Sequence, residues 1–166
     1  MRHIIAILLQ NEAGALTRVA GLFSTRGYNI ESLSVAATDD PTVSRITLVT
    51  RGSEAVLQQI ANQLLKLIDV VGVEDLTDGE HIERELVLLK LRLQPGQTDA
   101  VRGFVVRAGG RVLDPAPDAF VVELTANEAE VNRFIDELAR HSETLEVVRS
   151  GALGVGRATR RLELVR

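Results

Sequence analysis

The residues best suited to chemistry in this chain lie where an apolar run gives way to a helix-like pattern. Asn11 and Gly14 follow the apolar stretch 4–9, and Asn29 comes just before the next strand-like stretch. A glycine at a helix start exposes the N–H groups of the first turn, which bind anions such as carboxylates. Asparagine offers both a donor and an acceptor. Since we expect Asn29 near the same end of the fold, the three residues fit a site for a free amino acid, although turn and capping roles are the alternative.

The elements that must position these residues are a strand, a helix and a second strand. Six apolar residues in succession, 4–9, predict a strand that is buried on both faces. Gly27 falls where a helix commonly ends in a left-handed residue. The helix between them has an apolar stripe with the spacing i, i+3, i+4, i+7, formed by Leu16, Val19, Ala20 and Phe23.

The same alternation of strands and helices continues to residue 76. Strands are predicted at 30–37, 45–50 and 70–76. Ser53 is a good N-cap for a helix between the last two strands. The apolar stripe of that helix is predicted to contain Leu57, Ile60, Ala61, Leu64 and Ile68.

The second half of the chain repeats the order β-α-β-β-α-β. Asn127 and Glu130 have the spacing of a capping box at the start of its second helix. The repeat predicts an α+β fold made of two ferredoxin-like modules in tandem. The boundaries that we predict are a first module at 1–76, a linker at 77–83, and a second module with a basic tail at 84–166.

Several stretches carry a resemblance to a known family. The run Asn11-Glu12-Ala13-Gly14-Ala15-Leu16 resembles the loop of ACT domains, which are small amino-acid-sensing modules. Together with residues 17–19, 22–24, 26–33, 38–41, 44–45, 81–86 and 148–151, it resembles the small regulatory subunit of bacterial acetolactate synthase (acetohydroxyacid synthase). The resemblance covers nearly the whole chain, is strongest in residues 1–50 and at the linker, and is weakest around 94–120.

The resemblance implies a function and partners. Such a chain would bind a thiamine-diphosphate catalytic subunit, raise its activity, and confer feedback inhibition by L-valine. It would be non-catalytic and hold no cofactor, while thiamine diphosphate, FAD and Mg²⁺ would belong to the catalytic large subunit. ACT domains of this family pair side by side into a longer sheet, which implies a homodimer with the effector site at its interface.

The resemblance also implies which residues form that site. They are Asn11, Gly14, Ala15, Leu16, Asn29 and Ile30, with Val35 and Ala36 as further candidates for lining the pocket. The N–H groups of the helix start would hold the carboxylate, and the two asparagines would fix the loop and bond the ligand. Residues 29 and 30 of one chain would face the loop 11–16 of the other.

Composition excludes several other classes of site. The chain has no cysteine, which removes disulfides and thiolate chemistry and suits a cytoplasmic protein. His3, His81 and His141 lack metal-ligand spacing, and we expect neither a metal site nor a catalytic residue. A net charge of −4 argues against nucleic acid as a partner, and no apolar run approaches the roughly 18 residues of a membrane span.

Three questions stay open from the sequence. The five arginines of the tail are Arg149, Arg157, Arg160, Arg161 and Arg166, and they suit either docking on an acidic protein surface or a solvated tail. The chain is either a regulatory subunit or a free-standing ACT-type sensor of another enzyme. Valine, leucine and isoleucine differ by so little apolar surface that the sequence does not indicate which of them is the preferred effector.

Overall fold

A computed structural model describes residues 1–165, which form two compact units. The first unit combines Met1–Ile82 with the described residues from Ala152 onward, and the second unit is Glu83–Gly151. Each unit has its own sheet, its own pair of helices and its own apolar core. The predicted α+β class, with two ferredoxin-like modules in tandem, is therefore confirmed.

The first unit follows the predicted order of elements. They are β1 (Arg2–Gln10), α1 (Ala15–Thr25), β2 (Ile30–Ala37), β3 (Val43–Arg51), α2 (Glu54–Leu64) and β4 (Val70–Asp75). The strands lie in the order β2-β3-β1-β4, and neighbouring strands are antiparallel. This order makes β2 and β4 the two edges of the sheet.

One face of this sheet packs against both helices. The core between them contains Ile5, Ile7, Leu9, Ile46 and Leu48 from the sheet and Val19, Phe23, Leu57, Ile60 and Leu64 from the helices. Two residues of the predicted stripes lie elsewhere. Leu16 is 40 % exposed, and Ala15 occupies the buried position beside it. Ile68 is 77 % exposed because α2 ends at Leu64 and the chain turns there.

The second unit is built on the same plan. Its elements are β5 (His81–Leu93, of which the first two residues belong to the first unit), α3 (Thr98–Arg107), β6 (Arg111–Asp114), β7 (Phe120–Ala126), α4 (Glu128–Ala139) and β8 (Ser142–Arg149). The strand order is β6-β7-β5-β8. The capping box of α4 is confirmed, since the side chain of Asn127 accepts from the Glu130 N–H at 2.9 Å and the Glu130 carboxylate accepts from the Asn127 N–H at 3.1 Å.

The boundaries differ from the predicted ones. Residues 77–83 do not form a separate link, because Leu76–Asp78 form a short 3-10 helix and β5 already begins at His81. The tail from Ala152 belongs to the first unit instead of the second. It includes a short strand, β9 (Leu153–Gly156), and Arg166 lies outside the described residues.

The reason for the tail's position is the apolar face of the first sheet that the helices leave open. Ile4, Ala6 and Val49 point to that face, and Ala152 and Leu162 cover them. The tail therefore replaces solvent on a surface that the tandem-module prediction left exposed.

Candidate functional site

The start of α1 offers unpaired backbone donors, as the sequence predicted. Gly14 is the N-cap residue and has a left-handed conformation, with φ of 89°, that favours glycine. No side chain within residues 1–165 caps the helix. The first-turn N–H groups of Leu16 and Thr17 have no preceding carbonyl within the helix to bond, whereas the Ala15 N–H donates to Glu12 O at 3.2 Å.

Asn11 holds the loop before α1 and does not cap the helix. Its side-chain amide donates to the carbonyl of Pro41 at 3.0 Å, and its backbone N–H donates to the carbonyl of Thr42 at 2.7 Å. Both acceptors lie in the turn between β2 and β3. The loop after β1 is thus fixed to the end of the sheet where β2 finishes.

An ion pair that the sequence reading missed braces the same loop. The guanidinium of Arg18 on α1 donates to both carboxylate oxygens of Asp69, with 2.8 Å between Nη2 and Oδ1. Asp69 is the residue just before β4, and its backbone carbonyl accepts a hydrogen bond from the N–H of Gln10 at 2.8 Å. The hydrogen bond from Arg18 lowers the pKa of Asp69 and raises that of Arg18. The sequence hints at this bracing role of Arg18 only through its position, one helical turn after Gly14.

Asn29 and Ile30 lie at the other end of the sheet, contrary to our expectation for Asn29. In the register of the strands, Ile30 pairs with Thr50, and Thr50 pairs with His3 at the beginning of β1. The loop at Asn11 follows the end of β1. Because α1 carries the chain back along the sheet, β1 and β2 are parallel and begin at the same end. Gly14 follows the end of β1, whereas Asn29 precedes the beginning of β2. A single chain therefore does not bring Asn29 close to Gly14.

Val35 and Ala36 point to opposite faces of β2. Residues that pair across antiparallel strands share a face, and Val35 pairs with Ile46, which belongs to the core under the helices. Ala36 pairs with Arg45 on the other face. Val35, at 41 % exposure, is therefore the one that shares a face with the start of α1.

Ala36 points toward a different cavity, which residues 34–38 of the chain, Val35 included, also line. This cavity has a volume of about 470 Å³ and is lined by β2, β3 and the tail, with Ser34, Ala36, Thr47, Leu153 and Val155 among its lining residues. The side chain of Arg45 donates to the carbonyl of Gly154 at 2.7 Å at its border. No local pattern of residues predicts this cavity, because the tail that closes it comes from the other end of the chain.

The two edges of the first sheet differ. Among the described residues, β2 pairs with β3 alone, and half of its residues are exposed while the other half are partly buried. The outer side of β4 is met by the tail, where the Val165 N–H donates to Val71 O at 2.6 Å. In residues 1–165, no strand other than β3 pairs with β2, whereas the tail bonds the outer side of β4.

Other kinds of site find little support in residues 1–165. This part of the chain contains no group of three or more His, Asp and Glu side chains close enough to hold a metal ion. None of its helices is long and apolar enough to cross a membrane. Three features of the first unit bear on the predicted amino-acid site: the open helix start, the loop that Asn11 fixes, and the outer edge of β2.

Comparison with known proteins gives matches over both units. Residues 5–72 match a family model described as an AHAS small subunit-like ACT domain, and residues 84–158 match one described as the small subunit of acetolactate synthase. The acetolactate synthase isozyme 3 small subunit of Escherichia coli (strain K12) is 45 % identical over 95 % of this chain and 96 % of its own length. The acetolactate synthase small subunit of Haemophilus influenzae is 44 % identical over 98 % and 99 %.

A solved structure agrees with these matches. The crystal structure of the acetolactate synthase small subunit from Thermotoga maritima superposes with a TM-score of 0.84 at 29 % identity, covering 96 % of this chain and 99 % of that one. Both the family models and the full-length relatives point the same way. The chain belongs to the family of acetolactate synthase small subunits.

Proposed function

We propose that this chain is a regulatory subunit that binds the thiamine-diphosphate catalytic subunit of acetolactate synthase, raises its activity, and makes it sensitive to L-valine. Relatives over nearly its full length are named as small subunits of that enzyme, which supports a larger catalytic partner. The observation that carries the valine part is the uncapped start of α1 at Gly14.

A carboxylate suits that helix start for two reasons. The free N–H groups of the first turn donate hydrogen bonds, and the partial positive charge of the helix N-terminus attracts an anion. The neighbouring side chain of Leu16 is 40 % exposed, so it offers apolar surface to the ligand's side chain. The loop is already fixed by Asn11, so less entropy is lost when a ligand orders it.

The second half of the proposed site comes from a second copy. An unpaired edge strand is a template for another strand, and two copies of β2 paired about a two-fold axis run antiparallel. In that arrangement the beginning of one β2 lies beside the end of the other. Asn29 and Ile30 of one chain then approach the loop of the partner, which Asn11 ties to the end of the partner's own β2.

The helix face supplies the apolar part of the proposed pocket. Ile30 and Leu33 pack on the core under the helices, and Val35 shares their face through its pairing with Ile46. A two-fold axis perpendicular to the sheet keeps the helices of both copies on one side. Ile30 and Val35 therefore lie on the same side as the partner's helix start, which suits a branched aliphatic ligand.

A site shared by two chains also provides a route for regulation. An effector changes an equilibrium only as far as it binds one arrangement better than another. A ligand that contacts both copies stabilises the arrangement of the two β2 edges in which both contacts are made. We assign the regulatory change to this interface, from which it passes to the catalytic subunit.

The test is calorimetric titration of L-valine into the purified chain, with wild type beside Asn29→Ala. The backbone of Asn29 stays anchored in the variant because its carbonyl accepts from the Thr50 hydroxyl at 2.6 Å. Loss of a hydrogen bond to a charged group weakens binding by about ten- to a hundredfold, or roughly 1.5–3 kcal/mol. Asn62→Ala, at an exposed position of α2, is the matched control and should bind as wild type does.

The catalytic partner is tested by reconstitution. The chain should copurify with a thiamine-diphosphate enzyme and raise the turnover of that enzyme. Addition of valine should then lower the turnover of the complex. Copurification with an unrelated enzyme would favour the free-standing sensor instead. Valine binding that Asn29→Ala leaves unchanged would contradict the shared site.

A further inference from the structure

The outer edge of β4 is a strand edge that the chain's own tail occupies. Its first three residues, Val70, Val71 and Gly72, are buried, and this part of the strand lies beside β1 on its inner side. An apolar edge without proline or lysine is well suited to pair with another strand. The residues on its outer side therefore decide whether this edge is available to a partner.

Residues 160–165 form the cover of this edge, which we call the strap. Val165 donates its N–H to the carbonyl of Val71 at 2.6 Å. Leu162 packs on the apolar cluster that contains Ile4, Ala6 and Val49. The backbone of the strap thus forms a hydrogen bond to the edge of the sheet, and its Leu162 side chain packs against the face of the sheet that the helices leave open.

Arg160 holds the near end of the strap through three hydrogen bonds. Its guanidinium donates to the carboxylate of Glu74 at 2.5 Å, to the carbonyl of Asp75 at 2.6 Å and to the carbonyl of Leu76 at 3.3 Å. Glu74 is 16 % exposed at its side chain, and its other carboxylate oxygen has no partner among the described residues. Arg160 is therefore the cation that balances this half-buried carboxylate.

Two glycines allow the strap to approach. A Cβ on Gly72 would stand 2.5 Å from the backbone oxygen of Glu163, which is too close for any real contact. A Cβ on Gly79 would collide with the guanidinium of Arg160. A larger residue at position 72 would force the strap backbone away without changing any charge, whereas one at position 79 would displace the Arg160 side chain.

We propose that the outer edge of β4 is a second strand-pairing surface of the first unit, which binds a second copy of this chain whenever the strap is displaced. An antiparallel pair of β4 strands is self-complementary under a two-fold axis. With the axis near Gly72, Glu74 of one copy lies opposite Val70 of the other, so like charges do not meet. Because β2 and β4 are opposite edges, pairing at both would make an extending chain of molecules, and the strap prevents this.

The test measures molar mass by sedimentation velocity over a hundredfold range of concentration. Three changes displace the strap by different means: Arg160→Gln removes the cation, Gly72→Ala adds the Cβ, and a stop after Gly156 removes the strap. Arg161→Gln is the matched control, because that arginine is 81 % exposed and its one ion pair among the described residues is with Glu163 of the strap itself. Each displaced form should at least double its mass as the concentration rises, while the control should not.

Amide hydrogen exchange locates the change. The amides of β4 should lose protection in Arg160→Gln at low concentration, when the edge is bare, and regain it at high concentration, when a second copy covers it. The point substitutions leave the apolar side chain of Leu162 in the chain, so they remain informative if the shortened chain fails to fold. Unchanged mass in all folded displaced forms, or equal association of Arg161→Gln, would overturn the proposal.

Discussion

Gly14 and Arg18 lie so close that a Cβ on Gly14 would stand 3.0 Å from Nη1 of Arg18. Arg18 is held in place by Asp69, which is 3 % exposed. The guanidinium therefore has little freedom to withdraw from a larger residue at position 14. This contact and the left-handed backbone both make glycine the residue of choice beside the proposed carboxylate site.

Gly14→Asp should abolish inhibition by valine in the reconstituted enzyme while the chain still folds and activates. The new carboxylate would stand where the ligand carboxylate should bind, and it would compete with Asp69 for Arg18. Backbone strain at a left-handed position costs about 1–3 kcal/mol, which most domains survive. Steady-state inhibition curves with and without valine give the readout.

The control for backbone strain is Gly96→Asp. Gly96 also has a left-handed backbone, with φ of 78°, and a Cβ there would have nothing within 4 Å. It lies in the second unit, so valine inhibition should be normal. If both aspartates abolished inhibition, or Gly14→Asp retained it in full, the site at Gly14 would be refuted.

Mixed dimers test whether the site is shared between two chains. A dimer of one Gly14→Asp chain and one Asn29→Ala chain has one site with both changes and one site with neither. Differently tagged chains can be copurified and titrated with valine. We expect half of the wild-type number of high-affinity sites, whereas a site within one chain would leave none.

Asp69→Asn should destabilise the first unit in a pH-dependent way. The pKa of Asp69 is lowered below its ordinary value of 3.8 by the hydrogen bond from Arg18, so the folded chain binds fewer protons than the unfolded chain at that group. The stabilisation is present above pH 3.8 and is lost as the pH falls through the lowered pKa.

Melting temperatures measured from pH 7 down to pH 3 provide the readout. The variant should melt below wild type at neutral pH, and the difference should shrink on acidification. Asp136→Asn, an exposed position on α4, is the control and should show no comparable trend. A constant difference across the range would contradict this assignment of the ion pair.

Arg149→Met should destabilise the second unit. The guanidinium donates to both carboxylate oxygens of Glu85 at 2.8 and 2.7 Å, and Glu85 is 5 % exposed. Removing hydrogen bonds to a charged group costs about 1.5–3 kcal/mol, which chemical denaturation can resolve. Arg140→Met breaks an exposed pair with Glu137 and should cost less than about 0.5 kcal/mol.

The local features of the fold were predictable from the sequence because each depends on residues close in the chain. The bounds of β2, the cap at Ser53, the capping box of α4 and the left-handed Gly27 all agree with the structure. Each of these features follows from residues within about four positions of one another, which is the range over which helix and strand periods act.

The features that were missed depend on residues far apart in the chain. The tail returns from position 152 to the first sheet, and no local period signals such a return. Arg18 and Asp69 are separated by 51 positions. The position of Asn29 was missed for a different reason, because the helix between two parallel strands carries the chain back to the end where the first strand began.

The first unit is encoded in two pieces, with the whole second unit between them. During synthesis, β1 to β4 leave the ribosome long before Ala152 and Leu162, which cover Ile4, Ala6 and Val49. Domains fold largely as they emerge, so the early chain carries a bare apolar face while the second unit is still being made. A nascent chain that has not yet reached Ala152 consequently lacks the residues that cover Ile4, Ala6 and Val49.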